Sequence, residues 1–279
     1  MVVTRNEMVG SLGGGIMEHK FVEMARDFLQ QGKTGIQLRR QIHSKEPTKD
    51  QSGMICSGEQ TIALYCGVPF PKEVLQQIVI GETGNIEQMI TFDGKGLAIT
   101  HLHLSPGFDR KSDTEWRFIE KQEQPLNLHI IGAGHVGLAF SQVMKLLPFR
   151  IFLYDDRPGL NTFELNPFAD EKKMVDYADL AHIIPEGKNQ YVAIMTFGYR
   201  TDLQVVKNLL DKDFAYIGLL GSKAKIERMW AELRAGGVAE ERLKKIYAPI
   251  GIPIRSQTPT EIGLSIAAQI IELRNKDLP

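Results

Sequence analysis

The chain of 279 residues carries only two cysteines, Cys56 and Cys66. Two thiols are too few for a disulfide framework or a four-thiolate metal site, and a reducing cytoplasm is the expected setting. An excess of either charge is also missing. Lys and Arg number 33 against 34 Asp and Glu, a net charge of −1, which leaves no electrostatic case for nucleic acid. No apolar run approaches the roughly 20 residues that span a bilayer. The N-terminus lacks the basic-then-apolar pattern of a secretory signal, so no membrane role is expected. The histidines have no metal-ligand spacing. His101 and His103 share one face of an expected strand, but no neighbouring thiol or carboxylate completes a set. There is no nucleophile elbow, P-loop or paired-carboxylate signature.

What is present is a strand, a glycine turn, a helix and a second strand in succession. Leu128–Ile131 is apolar and runs into Gly132-Ala133-Gly134-His135-Val136-Gly137. Helical periodicity follows from Leu138 to Leu147, then an apolar run from Arg150 to Tyr154 that ends at Asp155-Asp156. This is the whole context of a dinucleotide-binding turn. Gly132 lets the chain turn sharply off its strand, Gly134 lets a diphosphate approach the backbone, and Gly137 lets helix pack on strand. The helix start offers N–H groups and a partial positive charge to an anion. His135 reads either as an exposed polar loop residue or as a ligand contact at the mouth of the turn. Asp155 stands at about the spacing where a carboxylate accepts ribose hydroxyls. The pattern specifies a fold more firmly than a ligand, so NAD(P), FAD or another phosphate compound remain open.

The expected fold class is α/β, with a C-terminal Rossmann-like, doubly wound parallel sheet and a smaller N-terminal α+β domain. Residues 1–104 form the expected N-terminal domain, the breaker-rich segment 105–126 a linker, and 127–279 the second domain. In the first domain, Val2-Val3-Thr4 and Met8-Val9 read as a hairpin, Ile16–Gln30 as a helix, and Gly35–Leu38, Met54–Ile55, Thr61–Cys66 and Gly96–Ile99 as strands. In the second, strands are expected at Lys173–Val175, Tyr191–Phe197 and Phe214–Leu220, with a helix over Thr201–Leu210. Ser222 is the expected N-cap of a helix to Ala235, and Thr258 or Thr260 opens the last helix with Pro259 in its first turn.

Two further glycine turns precede helices. One contains Gly13 and Gly14. The other, Gly218–Lys223, places Gly221 and Ser222 at a helix start, where an anion can be held. Cys56, between an apolar strand and Gly58, is a candidate for sulfur or soft-metal chemistry if its pKa is lowered. Cys66 reads as core.

Taken in order, these pieces resemble the XdhC/CoxI family of accessory factors for xanthine dehydrogenase. The resemblance rests on Met8–Glu18, Cys56-Ser57-Gly58, Ile131–Gly137 and Tyr154–Arg157. It continues through Tyr216–Lys223, Ala248–Gly251 and Thr258–Ala268. It implies a cytoplasmic, dimeric chaperone that binds molybdenum cofactor (molybdopterin) as cargo. It further implies help with sulfuration and insertion into a molybdenum hydroxylase such as xanthine dehydrogenase, with a cysteine desulfurase as a further partner. Under it, Gly13, Gly14, Gly132, Gly134, His135, Gly137, Asp155, Gly221 and Ser222 bind the cofactor, and Cys56 contacts its sulfur or molybdenum. Three positions depart from the family pattern. Cys-Gly-Gly reads Cys56-Ser57-Gly58, a histidine-rich element reads Thr196-Phe197-Gly198-Tyr199, and Ala-Glu-Ile reads Ala268-Gln269-Ile270. An NAD(P)-dependent oxidoreductase and a dinucleotide-sensing regulator are the alternatives, although no catalytic pair stands beside the fingerprint.

Overall fold

The computed structural model describes residues 1–43, 58–84, 86–101 and 104–276. They fall into two compact units, Met1–Gln124 and Pro125–Pro279.

The first unit opens with a two-stranded antiparallel hairpin, β1 (Val2–Val3) and β2 (Met8–Val9). Helix α1 (Gly15–Gln30) follows and buries Met17 and Phe21 against Ile62. That residue lies on β4 (Gly58–Cys66), which pairs antiparallel with β3 (Gly35–His43) along its whole length. Helix α2 (Lys72–Gly84) leads to a four-stranded antiparallel sheet. Its strands are β5 (Met89–Asp93), β6 (Gly96–Thr100), β7 (Gly107–Arg110) and β8 (Trp116–Lys121), in the order β6-β5-β8-β7. The segment 105–126 is therefore not a linker over most of its length. Trp116 and Ile119, each 6% exposed, are the buried positions of β8.

The second unit is a five-stranded parallel sheet with helices on both faces. Its strands are β9 (Leu126–Ile131), β10 (Phe149–Asp155), β11 (Glu171–Met174), β12 (Gly187–Ile194) and β13 (Phe214–Leu219). Their order is β11-β10-β9-β12-β13, so the first strand in sequence is central and the winding reverses between β9 and β12. An isolated parallel bridge between Gly218 and Tyr247 marks where a sixth strand would begin. This is the Rossmann order, and its ligand crevice lies beyond the carboxyl ends of β9 and β12.

Burial on both faces explains the unbroken apolar strands. Leu128, Ile130 and Ile131 are fully buried, as are Val192, Ala193 and Ile194. One face packs against α3 (His135–Met144) and α9 (Pro259–Arg274), with Phe140, Ile266 and Ile270 in the core. Gly263 lets those two helices touch: a Cβ there would lie 3.1 Å from the Phe140 Cα. The other face packs against α6 (Tyr199–Leu209) and α7 (Lys223–Ala235) through Val205, Val206, Ile226 and Met229. Short helices α4 (Asn161–Glu164), α5 (Leu180–Ile183) and α8 (Glu240–Leu243) complete the connections.

Both expected caps are present. Ser222 Oγ accepts the Lys225 N–H at 3.3 Å. Thr258 and Glu261 form a reciprocal capping box with Pro259 in the first turn of α9, which satisfies N–H groups that a helix start otherwise leaves open. No helix among the described residues is long and apolar enough to cross a membrane.

Candidate functional site

The central crevice is built around the turn from β9 to α3, and its three glycines have three different environments. Gly132 has φ +111°, and a Cβ there would lie 2.2 Å from the Met195 carbonyl oxygen. A Cβ on Gly137 would lie 2.3 Å from the Gly132 oxygen. Both are closed by the protein itself. Gly134 is different: no heavy atom lies within 4 Å of the position its Cβ would take. It is the N-cap of α3, at the helix end whose first-turn N–H groups lack helical partners. His135 is exposed at the same helix start.

Asp155 does not face this space. It is the last residue of β10, fully buried, and its side chain reaches across to the glycine turn. Oδ2 accepts the Ala133 N–H at 2.7 Å and Arg157 Nη2 at 2.8 Å. Oδ1 accepts Arg157 Nε at 2.8 Å and the Arg157 N–H at 3.1 Å. Burial by itself would raise its pKa, but the Arg157 guanidinium and the Ala133 N–H hold the carboxyl below its ordinary value. Its oxygens are occupied by four donors, so Asp155 shapes the turn rather than offering an acceptor to a ligand. The next residue, Asp156, is the first to reach solvent. With Met174, Val175 and Asp176 it lines a shallow depression at the ends of β10 and β11.

On the far side of the glycine turn, β12 runs into Thr196-Phe197-Gly198. Asp202, in the first turn of α6, is fully buried. Its Oδ1 accepts the Thr196 N–H at 3.0 Å and the Thr196 hydroxyl at 2.6 Å, while its Oδ2 is paired with Lys225 Nζ of α7. Phe197 is 84% exposed, and the Arg157 guanidinium carbon lies 5.3 Å from its ring centroid. Arg157 follows β10 and Phe197 follows β12, with β9 between them, so the two side chains meet across the end of the strand that carries the glycine turn.

Gly221 and Ser222 lie at the end of β13, on the same edge of the sheet. Ser222 is an exposed N-cap, and a Cβ on Gly221 would meet only the Lys225 side chain within 3.0 Å. Gly13 and Gly14 belong to the first unit, at φ +106° and +75°. Their loop closes on Glu18, whose carboxylate accepts the Ser11 hydroxyl at 2.6 Å and the Leu12 and Gly14 N–H groups at 2.7 and 3.2 Å. These bonds hold the Glu18 carboxyl below its usual range. The loop's N–H groups are thus used within the loop. Cys56 lies outside the described residues. Cys66 is half-buried on β4, and burial pushes its thiol upward, away from the thiolate form that reacts.

Arg157, Phe197 and the Asp202–Lys225 pair are the residues that sequence reasoning did not place here. Asp202 reads in sequence as a helix-dipole residue, and no spacing reveals that a lysine from the next helix reaches it. For Arg157, its place two residues beyond the strand-ending acid was an available signal. For Phe197, the signal was an aromatic residue immediately after a buried parallel strand.

The described fold agrees with three comparisons. Residues 128–270, just over half of the chain, match the family model for the XdhC Rossmann domain. The uncharacterized protein YqeB of Escherichia coli K12 is 31% identical over 276 residues, which cover 99% of this chain and 40% of that protein. A probable xanthine dehydrogenase subunit of Bacillus subtilis 168 is 26% identical over 178 residues, 64% of this chain and 51% of the relative. The chain thus spans about half or less of the length of these curated relatives. A solved Bacillus halodurans structure described as a xanthine dehydrogenase superposes with a TM-score of 0.72 at 22% identity, over 96% of this chain and 83% of that one. That likeness supports the fold. With the Rossmann strand order, the glycine turn and a family match that reaches from β9 to α9, the chain belongs to the XdhC family.

Proposed function

We propose that the protein is an accessory factor for a xanthine-dehydrogenase-type molybdenum enzyme, and that it holds the enzyme's molybdenum cofactor as cargo before delivery. The observation that carries the reading is the asymmetry of the glycine turn. Gly132 and Gly137 are filled by the protein, whereas Gly134 leaves open space at the N-terminus of a ten-residue helix. That is a cradle for a phosphate group, and the pterin cargo carries one. The names of the Bacillus subtilis and Bacillus halodurans relatives support a xanthine-dehydrogenase client. The occupied Asp155 carboxylate weighs against a dehydrogenase that grips the ribose of NAD through that residue.

In this reading the first turn of α3 binds the cargo phosphate, with His135 at the rim and Ser222 as a second polar contact. Asp155 is a positioning residue: through Ala133 it fixes the curvature of the turn. Cys56 is the proposed contact for the cargo's sulfur or molybdenum. Sulfuration, transfer to the client, a desulfurase partner and a homodimer belong to the same proposal.

Titration of the full chain with molybdenum cofactor, read by pterin fluorescence and calorimetric heat, tests the reading. Saturable pterin binding that is lost in Gly134→Leu supports it. Heat with NAD(H) and none with the pterin would sink it. Cys56→Ala separates the thiol from the cradle: binding should persist while reactivation of the client fails. Full reactivation would remove Cys56 from the mechanism.

A further inference from the structure

The cradle explains how a phosphate can be held at the turn but not why Arg157 and Phe197 meet beside it. Three observations bear on that. Arg157 spends Nε and Nη2 on Asp155, and no hydrogen bond from its Nη1 is made within the described residues. The guanidinium is therefore locked in orientation and still has donors to offer, and its side chain is 33% exposed. Phe197 backs it at 5.3 Å, with most of its ring surface in solvent. A phenyl ring so exposed next to a ligand crevice gains nothing from the core, but it offers a face to a planar ring. The pair also spans β10 to β12 across the end of β9, and Arg157 shares Asp155 Oδ2 with the Ala133 N–H of the glycine turn, which sets it beside the start of α3. On the other side, towards β11, the exposed Asp156 and Asp176 repel an anion. The charge pattern directs an anionic group away from β11 and towards Arg157.

We propose that Arg157 and Phe197 form a selectivity subsite for a phosphomonoester attached to a planar heterocycle. Arg157 takes the phosphate through Nη1, and Phe197 stacks on the ring; in the pterin cargo, which has one phosphate, the first turn of α3 and Arg157 hold the same group, since Arg157 and the Ala133 N–H of the turn share Asp155 Oδ2. A guanidinium pre-oriented by a buried carboxylate is suited to a doubly charged terminal phosphate. The Asp155 oxygens that would accept an unphosphorylated ribose diol are already filled. This inference rests on the cargo reading for the identity of the heterocycle but not for the chemistry of the subsite. It adds that the preferred cargo ends in a terminal phosphate rather than in a dinucleotide extension.

Two matched pairs of probes test it by calorimetry on the full chain. One pair is NADP+ and NAD+, which differ by one phosphomonoester. The other is the oxidised, fluorescent pterin phosphate obtained from the cofactor and the same compound after phosphatase treatment. Phosphorylated probes are expected to bind at least about tenfold tighter than their counterparts. Phe197→Ala, at a site exposed enough to leave the fold intact, should weaken binding about tenfold. Arg157→Lys keeps the charge but loses the fork, and should abolish the preference for phosphate. A phosphate preference confined to NADP+, with no pterin bound, retains the subsite and overturns the cargo reading. Pterin phosphate binding that neither variant alters retains the cargo reading and overturns the subsite. No phosphate preference in either pair, or no binding of either phosphorylated probe, overturns the subsite outright.

Discussion

Arg157 grips Asp155 at two points, Nε on Oδ1 and Nη2 on Oδ2, each at 2.8 Å, while the same carboxylate holds the Ala133 N–H in the glycine turn. One buried charge thus couples the end of β10 to the glycine turn. Asp155→Asn should cost on the order of 3 kcal/mol, because an amide presents donors where donors already converge and leaves Arg157 without its counter-charge. Denaturant unfolding checks this. A loss below about 0.5 kcal/mol, the level of an ordinary surface substitution, would show that the network adds no stability.

The glycines of the turn should separate under substitution. Gly132→Ala forces a Cβ to within 2.2 Å of a backbone oxygen at φ +111°, and should destabilise by about 3 kcal/mol or more. Gly134→Leu enters open space at an ordinary φ of −70°. It should leave the unfolding midpoint nearly unchanged and remove ligand binding. Equal stability loss in both variants would contradict the division of roles.

Asp202 and Lys225 form a second buried pair, with side-chain exposures of 0% and 25%. Lys225→Met strands the carboxylate and should cost about 3 kcal/mol. Adding Asp202→Asn to that variant should recover much of the loss. A double-mutant cycle in denaturant reads the coupling, and strict additivity would mean that the pair does not interact energetically.

His129 predicts a pH dependence. It is 2% exposed, between the Tyr154 hydroxyl at 3.1 Å and Gln190 Oε1 at 2.9 Å, and burial pushes its pKa down to about 4. The unfolded chain, with the ordinary value of 6.5, therefore binds a proton that the folded chain refuses. Its contribution is fully favourable above pH 6.5 and is lost as pH falls towards 4, by on the order of 3 kcal/mol. Stability of the wild type and of His129→Asn, measured between pH 7 and 4, checks the sign: the variant's profile should be flatter over that window.

Much of the second unit is legible in the sequence because its signals are local. The turn from Gly132 to Gly137, the Ser222 cap and the Thr258-Pro259-Thr260-Glu261 helix start each depend on neighbours within a few residues. The misread parts depend on distant ones. The strands β7 and β8 look like a polar linker until β5 supplies a ladder for β8. Asp155 is found at the expected place, but whether its carboxylate faces a ligand or the protein is decided by Arg157 and Ala133. Phe197 acquires meaning only when sheet order brings Arg157 across from β10. Thr196 and Lys225 converge on Asp202 from two other elements, which no local pattern reveals.

The most direct test of the account is a paired titration of the purified chain with molybdenum cofactor and with NAD(H). The account predicts saturable pterin binding that Gly134→Leu abolishes, with no NAD(H) response. Tight NAD(H) binding without pterin binding would contradict it and make a dinucleotide-dependent enzyme or sensor the better reading of the same fold.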